Sequence, residues 1–577
     1  MARYRWGYLW GTLALTATNA IWVLFPKVIE AAVNDLNRVG LDSAAMRQKI
    51  LFYAGLLVGV ALLKGVFLYA SRWILIGISR EIEFDLRNDL FKQLERQDSG
   101  YYQRNRTGDI MARLTNDLNA VRQLLGPAIM YSANTVLFSA FALYFLLRIS
   151  PWLTLVALAP MPIASILVQY FGARIHERFE RIQASFSEIT SHAQENFSGA
   201  RLIRAFAREE SQIDSFEKAN QQYIGRALRL VQLMGMLWPT LEFVLGVALV
   251  ITLLAGGRLV LQHKIDVGSF IAFNTYMILL TFPIIAVGWV INLFQRGTAS
   301  IKRIDEILRA EPEIDDAGAD KTIPEGTVLR GEIEFRGLSF SYGETQVLKN
   351  ISLRVPAGST LAIVGPTGSG KSTVIGLIPR LLDVHEDTLL VDGRPIREYP
   401  LKVLRSNIGV VPQETFLFSE TIRENLCFGA PDATAEEMLE AAEAAQIRRE
   451  FEEFPQGFET MVGERGVTLS GGQKQRTSIA RALLRRPRIL ILDDALASVD
   501  TYTEERILQG LREYATDCTT ILISHRISTV READQIAVLA DGRILELGTH
   551  SELLANGGYY AGLYEKQLLE EELSVTR

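Results

Sequence analysis

The chain has 577 residues, of which 48% are hydrophobic and 22% charged, with a formal net charge of −6 at neutral pH. That length exceeds what one hydrophobic core normally organises, so at least two domains are expected. No dense basic block stands out in an acidic chain, which argues against a nucleic-acid partner. The two cysteines, Cys427 and Cys518, cannot build a disulfide framework and suit a reducing compartment.

The apolar residues concentrate in roughly the first 300 positions, and the remainder reads as a soluble α/β domain. A spanning helix needs about 20 mostly apolar residues. Six runs meet that need, near 8–33, 52–79, 128–148, 152–172, 235–261 and 270–296. Six such runs in succession exclude a large soluble core. "MARYRW" resembles the charged start of a signal peptide, but the apolar run continues past Ala20 through "IWVLFPKVI", so a retained span is expected.

Segment 80–127 carries Arg80, Arg87, Lys92, Arg96, Arg104, Arg106, Arg113 and Arg122, and 173–231 is similarly rich in arginine. The loops at 34–51, 149–151 and 262–269 carry few cations. The positive-inside rule therefore places the two long segments, both termini and the C-terminal half in the cytoplasm. "REIEFDLRNDLFKQLERQ" keeps helical spacing past the second apolar run, so spans two to five are expected to continue as helices beyond the bilayer. "GYYQRNRTGD" (100–109) and "NFSGAR" (196–201) supply turn residues at the tips. Lys64 and Glu242 lie within spans, beside the polar Asn274 and Asn292. An ionisable residue at membrane depth is a functional candidate. Snorkelling, or facing a water-filled cavity without touching cargo, is the alternative.

Residues 309–330 are acidic, contain Pro and Gly, show no apolar period and read as a linker. The membrane domain is thus expected over 1–308 and a nucleotide-binding domain over 331–577. After "GEIEFRGLSFSY", which alternates as a strand, "STLAIVGPTGSGKSTVIGLI" runs an apolar strand into a helix through Gly365, Pro366, Thr367, Gly368, Ser369, Gly370, Lys371, Ser372 and Thr373. This is a P-loop in its confirming context. Its glycines let backbone N–H groups close on phosphate oxygens, and the helix presents its positive end to them. Lys371 reaches the β- and γ-phosphates, and Ser372 offers a hydroxyl to Mg²⁺. "RPRILILDD" ends an apolar strand at Asp493, where a P-loop enzyme places a magnesium ligand. Between the two, "TLSGGQKQRTSIARALL" opens another helix on a serine and two glycines, again an anion-binding geometry. A single nucleotide does not need both. Two copies facing head to tail would use one chain's P-loop and the other's Ser-Gly-Gly.

These residues resemble the ATP-binding-cassette (ABC) proteins, whose signature is "LSGGQ", here Leu469, Ser470, Gly471, Gly472 and Gln473. Six spans followed by one nucleotide-binding domain are similar to an ABC exporter half-transporter over the whole chain. The resemblance implies an α-helical membrane domain followed by an α/β ATPase, with ATP and Mg²⁺ as its cofactors. It also implies roles for further residues: Tyr342 stacking on adenine, Gln413 touching Mg²⁺ and water, Asp500 in the D-loop, and His525 near the γ-phosphate. "GERG" (463–466) matches the exporter X-loop, and the turns near 103–108 and 197–201 match its coupling helices. The amphipathic helix usual before the first span is nearly absent.

One departure concerns catalysis. The family's general base is a glutamate after the Walker B aspartate, and here that residue is Asp494. The pattern resembles the degenerate-site subunit of heterodimeric bacterial multidrug exporters. It implies a non-identical partner half-transporter that keeps the glutamate and borrows this chain's intact signature. The expected function is outward export of amphipathic drugs, peptides or lipids from an inner cell membrane. A homodimeric exporter or lipid flippase with Asp494 as working base is the near alternative. A non-transporting channel regulator or sensor is the alternative of another class.

Overall fold

The computed structural model describes residues 2–37, 43–384, 387–463, 466, 468–514 and 517–575. Six helices are long and apolar enough to cross a membrane: Arg5–Leu36, Ser43–Leu94, Thr107–Ile149, Pro151–Ser198, Glu209–Leu261 and Val267–Leu308. At 1.5 Å per residue the 53-residue Glu209–Leu261 helix is about 80 Å long, against a hydrocarbon core of about 30 Å. Apolar runs therefore account for only part of each long helix, and sequence richer in charge continues it. Short helices Ser99–Arg104 and Ala200–Ala205 form at the two tips. Asp98 caps the first of these by accepting from the Tyr101 N–H at 3.0 Å.

The chain divides into two units, Met1–Lys92 with Gly108–Arg309, and Gln93–Thr107 with Ala310–Arg577. In the first unit the third membrane helix contains two π-helical stretches, Arg113–Asp117 and Leu124–Ala128. A π-helical turn shifts the facing residues. Asp117 is buried there and accepts from Ser300 Oγ at 2.9 Å and Arg303 Nε at 2.7 Å. Asn19 of the first helix donates to Asn134 at 3.1 Å. Lys64 places its ammonium 3.3 Å from the centroid of the Trp22 ring, a cation–π contact. Glu242 and Asn292 are exposed, and Asn274 donates to the Phe270 carbonyl at 3.1 Å.

The second unit is built on a six-stranded sheet in the order β10-β9-β3-β8-β7-β6 and a four-stranded antiparallel sheet in the order β2-β1-β4-β5. The strands are β1 Ile333–Tyr342, β2 Thr345–Val355, β3 Thr360–Val364, β4 Leu389–Val391, β5 Arg394–Pro395, β6 Ile408–Val411, β7 Ile489–Asp493, β8 Thr519–Ile523, β9 Gln535–Ala540 and β10 Arg543–Gly548. Strands β6, β7, β8, β3 and β9 are parallel, and β10 closes the edge antiparallel to β9. Leu361, Ile363, Ile489, Ile491, Ile521 and Ile523 face one core, while Ala362, Val364, Leu490, Leu492 and Leu522 face another. A sheet buried on both faces needs continuous apolar strands, which "LAIV" and "ILIL" supply.

From Ala310 onward, the acidic stretch at 309–330 is tied down within this unit. The Glu313 N–H donates to Asp98 at 2.8 Å, Asp320 pairs with Arg394 at 3.0 Å, and Leu329 is buried. Asp392 then accepts from the N–H groups of Arg330, Gly331 and Glu332 at 2.7–3.0 Å. Its low hydrophobicity reflects anchoring through polar bonds rather than an apolar face.

Candidate active site

Parallel strands bring their C-terminal ends to one edge, where ligands bind in open α/β sheets. β3 delivers the P-loop there, β7 delivers Asp493 and Asp494, β8 leads to His525, and β6 leads to Gln413.

The loop takes its shape from glycine. Gly365 has φ +151°, and the Leu539 carbonyl fills the space a Cβ would need. Gly370 has φ +102°, and a Cβ there would lie 2.7 Å from Leu348 Cδ2. No L side chain fits either position. Lys371 opens the Lys371–Leu377 helix, with Ser372 and the buried Thr373 behind it. Lys371 is 7% exposed and donates to the carbonyls of Gly365 and Pro366 at 2.9 Å each. Burial pushes its pKa below the usual lysine value, against the pull of Asp493 and Asp494. The ammonium is thus held inside the loop by neutral carbonyls. Pro366, Thr367 and Gly368 are exposed, whereas the Ser369 Oγ is buried without a hydrogen-bond partner. A buried orphan hydroxyl is costly, and a phosphate oxygen fits it.

Burial lifts the Asp493 carboxyl above the ordinary range. A hydrogen bond from Ser372 opposes this, the Asp494 charge adds to it, and Lys371 and His525 oppose it. A hydroxyl bonded to a carboxylate at a strand end is the oxygen donor set that Mg²⁺ prefers. Gln413 sits exposed two residues beyond β6. Asp494 adopts φ +48°, a left-handed conformation that aspartate tolerates, and its N–H donates to the Ile523 carbonyl at 3.0 Å. His525 is exposed two residues beyond β8. Its carbonyl accepts from the Gln567 amide, and Gln567 Oε1 accepts from the Ile527 N–H at 2.8 Å. Gln567 lies in the helix Tyr559–Val575, and no sequence spacing ties it to the histidine.

The signature caps its own helix. Leu469 is buried, Ser470 Oγ accepts from the Gln473 N–H at 3.2 Å, and Gln473 Oε1 accepts from the Ser470 N–H at 2.9 Å. This capping box orders the helix start and takes up one of the N–H groups that spacing alone leaves free. The Gln473 amide also donates to Glu450 at 3.0 Å. Gly471 and Gly472 pass close to Ser498, and a Cβ on Gly472 would lie 3.1 Å from the Ser498 carbonyl oxygen. Asp500 caps the Thr501–Tyr514 helix by accepting from the Thr503 N–H at 3.0 Å. That bond is the main reason its carboxyl lies below the ordinary range. Tyr342 ends β1 half-exposed, edge-on to Phe340 with ring centroids 5.1 Å apart. Among the described residues, no hydrogen bond joins the Ser470–Gln473 turn to the P-loop. In the X-loop segment, Glu464 and Arg465 lie outside the described residues.

Six membrane-length helices and a P-loop sheet define a membrane-bound ATPase. The profile of the ABC transporter transmembrane region matches residues 8–284, and that of the ABC transporter ATPase region matches 348–497. The ABC transporter ATP-binding protein YknU of Bacillus subtilis is 38% identical over 98% of this chain and 95% of its own. The multidrug resistance-like ATP-binding protein MdlA of Escherichia coli is 36% identical over 99% of this chain and 96% of its own. An ATP-dependent lipid A-core flippase of Syntrophus aciditrophicus is 36% identical over 89% of this chain and 85% of its own. Among solved structures, a bacterial Atm1-family ABC exporter with ATP bound superposes with a TM-score of 0.79 at 27% identity, covering 98% of this chain and 99% of that one. The chain belongs to the ABC transporters and is an exporter half-transporter, a six-helix membrane domain joined to one ABC ATPase domain. It binds ATP and couples ATP hydrolysis to transport.

Proposed function

We propose that this chain is the slow-site subunit of a heterodimeric exporter, with its ATPase domain in the cytoplasm. The observation that carries the reading is Asp494, an aspartate where the general base stands, in a site whose P-loop and Asp493 are otherwise in place. A carboxylate one methylene shorter falls about 1–1.5 Å short of an attacking water placed for glutamate, and about 1 Å of misplacement can cost on the order of 100-fold in rate. The chain's own site therefore binds ATP and hydrolyses it slowly. Its well-formed signature completes the site of a non-identical partner that keeps the glutamate.

The residues have distinct tasks. The P-loop N–H groups, Lys371 and Ser369 hold the phosphates, and Tyr342 stacks on adenine. Ser372, Asp493 and Gln413 would hold Mg²⁺, which neutralises phosphate charge when bound. His525 lies toward the γ-phosphate. Asp494 accepts the proton of the attacking water as the bond from the γ-phosphorus to the bridging oxygen breaks. Ser470, the two glycines and Gln473 face the partner's nucleotide, with Asp500 beside them. The cargo is an amphipathic drug, peptide or lipid, and the names of the relatives, a multidrug resistance-like protein and a lipid A-core flippase, support the drug and lipid classes. Glu242, exposed on the fifth span, would favour cationic cargo.

The test is transport into inverted vesicles holding this chain and its partner. Lipophilic dye uptake that needs ATP and is lost with Lys371→Ala supports the export reading. Nucleotide-gated ion conductance without dye uptake would instead favour a regulator. A second reading, a homodimer with Asp494 as a working base, is favoured by the position of Asp494 directly after Asp493 at the end of β7, with its N–H held by the Ile523 carbonyl at 3.0 Å.

A further inference from the structure

The turns after β7 and β8 are tied together by one buried acid. Glu504 lies one helical turn beyond Asp500, and its side chain is 2% exposed. Its carboxylate accepts from Arg526 Nη1 at 2.6 Å and from the Thr529 hydroxyl. Its N–H donates to the Asp500 carbonyl at 2.9 Å. A buried carboxylate is retained where it is paired, and here the pair is with the residue that follows His525 in the chain. The same guanidinium donates to the carbonyls of Val499 at 3.1 Å and Ala497 at 3.2 Å. Arg526 therefore holds the backbone between Asp494 and Asp500 against the backbone that carries His525. On the far side of that segment, the Ser498 N–H donates to Gln475 Oε1 at 2.9 Å. Gln475 is buried in the Gly471–Leu484 helix, whose first turn is the signature. Arg526, Glu504 and Gln475 have no place in the phosphate-binding arrangement described above.

We propose that Arg526, clamped by Glu504, is a positioning residue that links the His525 turn to the segment Ala497–Asp500 and, through Gln475, to the signature helix. This rests on the functional reading above, in which His525 serves the chain's own nucleotide and the signature serves the partner's. A movement of His525 toward a γ-phosphate carries the adjacent peptide unit of Arg526 with it. Two carbonyls of the neighbouring turn follow the guanidinium. The Ser498 N–H lies between those carbonyls and draws on Gln475. Occupancy of one site is thereby felt at the signature offered to the other. An arginine suits the task because its planar fork reaches a carboxylate and two carbonyls at once, whereas a lysine presents its donors from one point.

The test uses the full-length complex in lipid nanodiscs and compares wild type with Arg526→Lys. Hydrogen exchange is measured with and without Mg-ATP in peptides spanning 365–374 and 495–503. ATP slows exchange in 365–374 in both proteins. In wild type it also changes exchange in 495–503 by about 3-fold or more, through local opening, and in Arg526→Lys that second response is absent. Equal responses of 495–503 in the two proteins overturn the link. Failure of 365–374 to respond in wild type overturns the functional reading itself, and the inference with it. Steady-state kinetics give a second readout. Arg526→Lys lowers kcat by about 10-fold with KM changed by less than about 2-fold, the mark of a group that acts after binding. Combining it with Gln475→Leu costs less than the product of the single effects, because both break one chain of contacts. An unchanged kcat, or a double variant equal to the product of the singles, contradicts the relay.

Discussion

Burial disfavours the ionised form of Asp493 and raises its pKa, and the sign of that shift sets a pH dependence. A carboxyl whose pKa is raised in the folded protein adds stability below the ordinary carboxylate range and loses it as pH rises through the raised value. Metal binding needs the ionised form, so it runs the other way and weakens as pH falls through the same window. Mg-ATP affinity is therefore expected to drop on acidification at a pH above the ordinary aspartate range, while metal-free ATP affinity changes less there. Fluorescent-nucleotide titration from neutral to mildly acidic pH checks this. Parallel loss of affinity with and without Mg²⁺ would separate Asp493 from the metal. At the same scale, Lys371, Ser372 and Asp493 could be singled out in the sequence because phosphate chemistry permits few residue types, and the fold brings the three together. The orphan Ser369 hydroxyl was not, since only the closed loop shows which side chain turns inward.

At the scale of elements, the buried strands could be read directly: "LAIV" and "ILIL" are apolar at every position because both faces of the sheet are covered. The start of the signature helix was legible as a helix start, while its self-capping became visible only with the Gln473 side chain placed. Ser470→Ala removes that cap, a loss of about 1 kcal/mol, and, in the proposed head-to-tail arrangement, also the hydroxyl that would face the partner's nucleotide. Turnover of the complex should fall by at least about 10-fold, as for loss of a positioned transition-state donor, while nucleotide binding at this chain's own P-loop stays within about 2-fold. ATPase assays with nucleotide trapping decide it, and full turnover with Ser470→Ala would remove the head-to-tail arrangement. In the membrane unit, Asp117 ends the first π-helical stretch and meets Ser300 and Arg303. Hydropathy cannot see such a bond, since it links residues 183 apart in the chain. Asp117→Asn is expected to lower stability by about 1.5–3 kcal/mol, the range for hydrogen bonds to charged groups. Thermal unfolding in detergent would show it as a lower midpoint, and an unchanged midpoint would show that the pair contributes nothing there.

Across the whole molecule, the membrane and ATPase parts were legible from composition, because lipid and water select different residues. The division between them was less so. Residues read as a linker by their acidity belong to the second unit, and so does the tip segment Gln93–Thr107. That segment follows the second membrane helix in sequence but bonds to the ATPase side, with Ser99 Oγ donating to the Leu381 carbonyl at 2.8 Å and Arg104 pairing with Glu313 at 2.8 Å. Such pairings join residues more than 200 positions apart and leave no periodic trace.

The division of labour between two unequal ATP sites is tested most directly at Asp494. General-base assistance is worth about 10²–10⁴-fold, so its removal is decisive wherever it operates. The measurement is steady-state ATPase activity of the purified complex carrying Asp494→Asn, beside a complex carrying Glu→Gln at the equivalent position of the partner. Retention of most activity in the first and its loss in the second is the predicted result. Abolition of turnover by Asp494→Asn alone would show a working catalytic carboxylate in this chain and contradict the slow-site account.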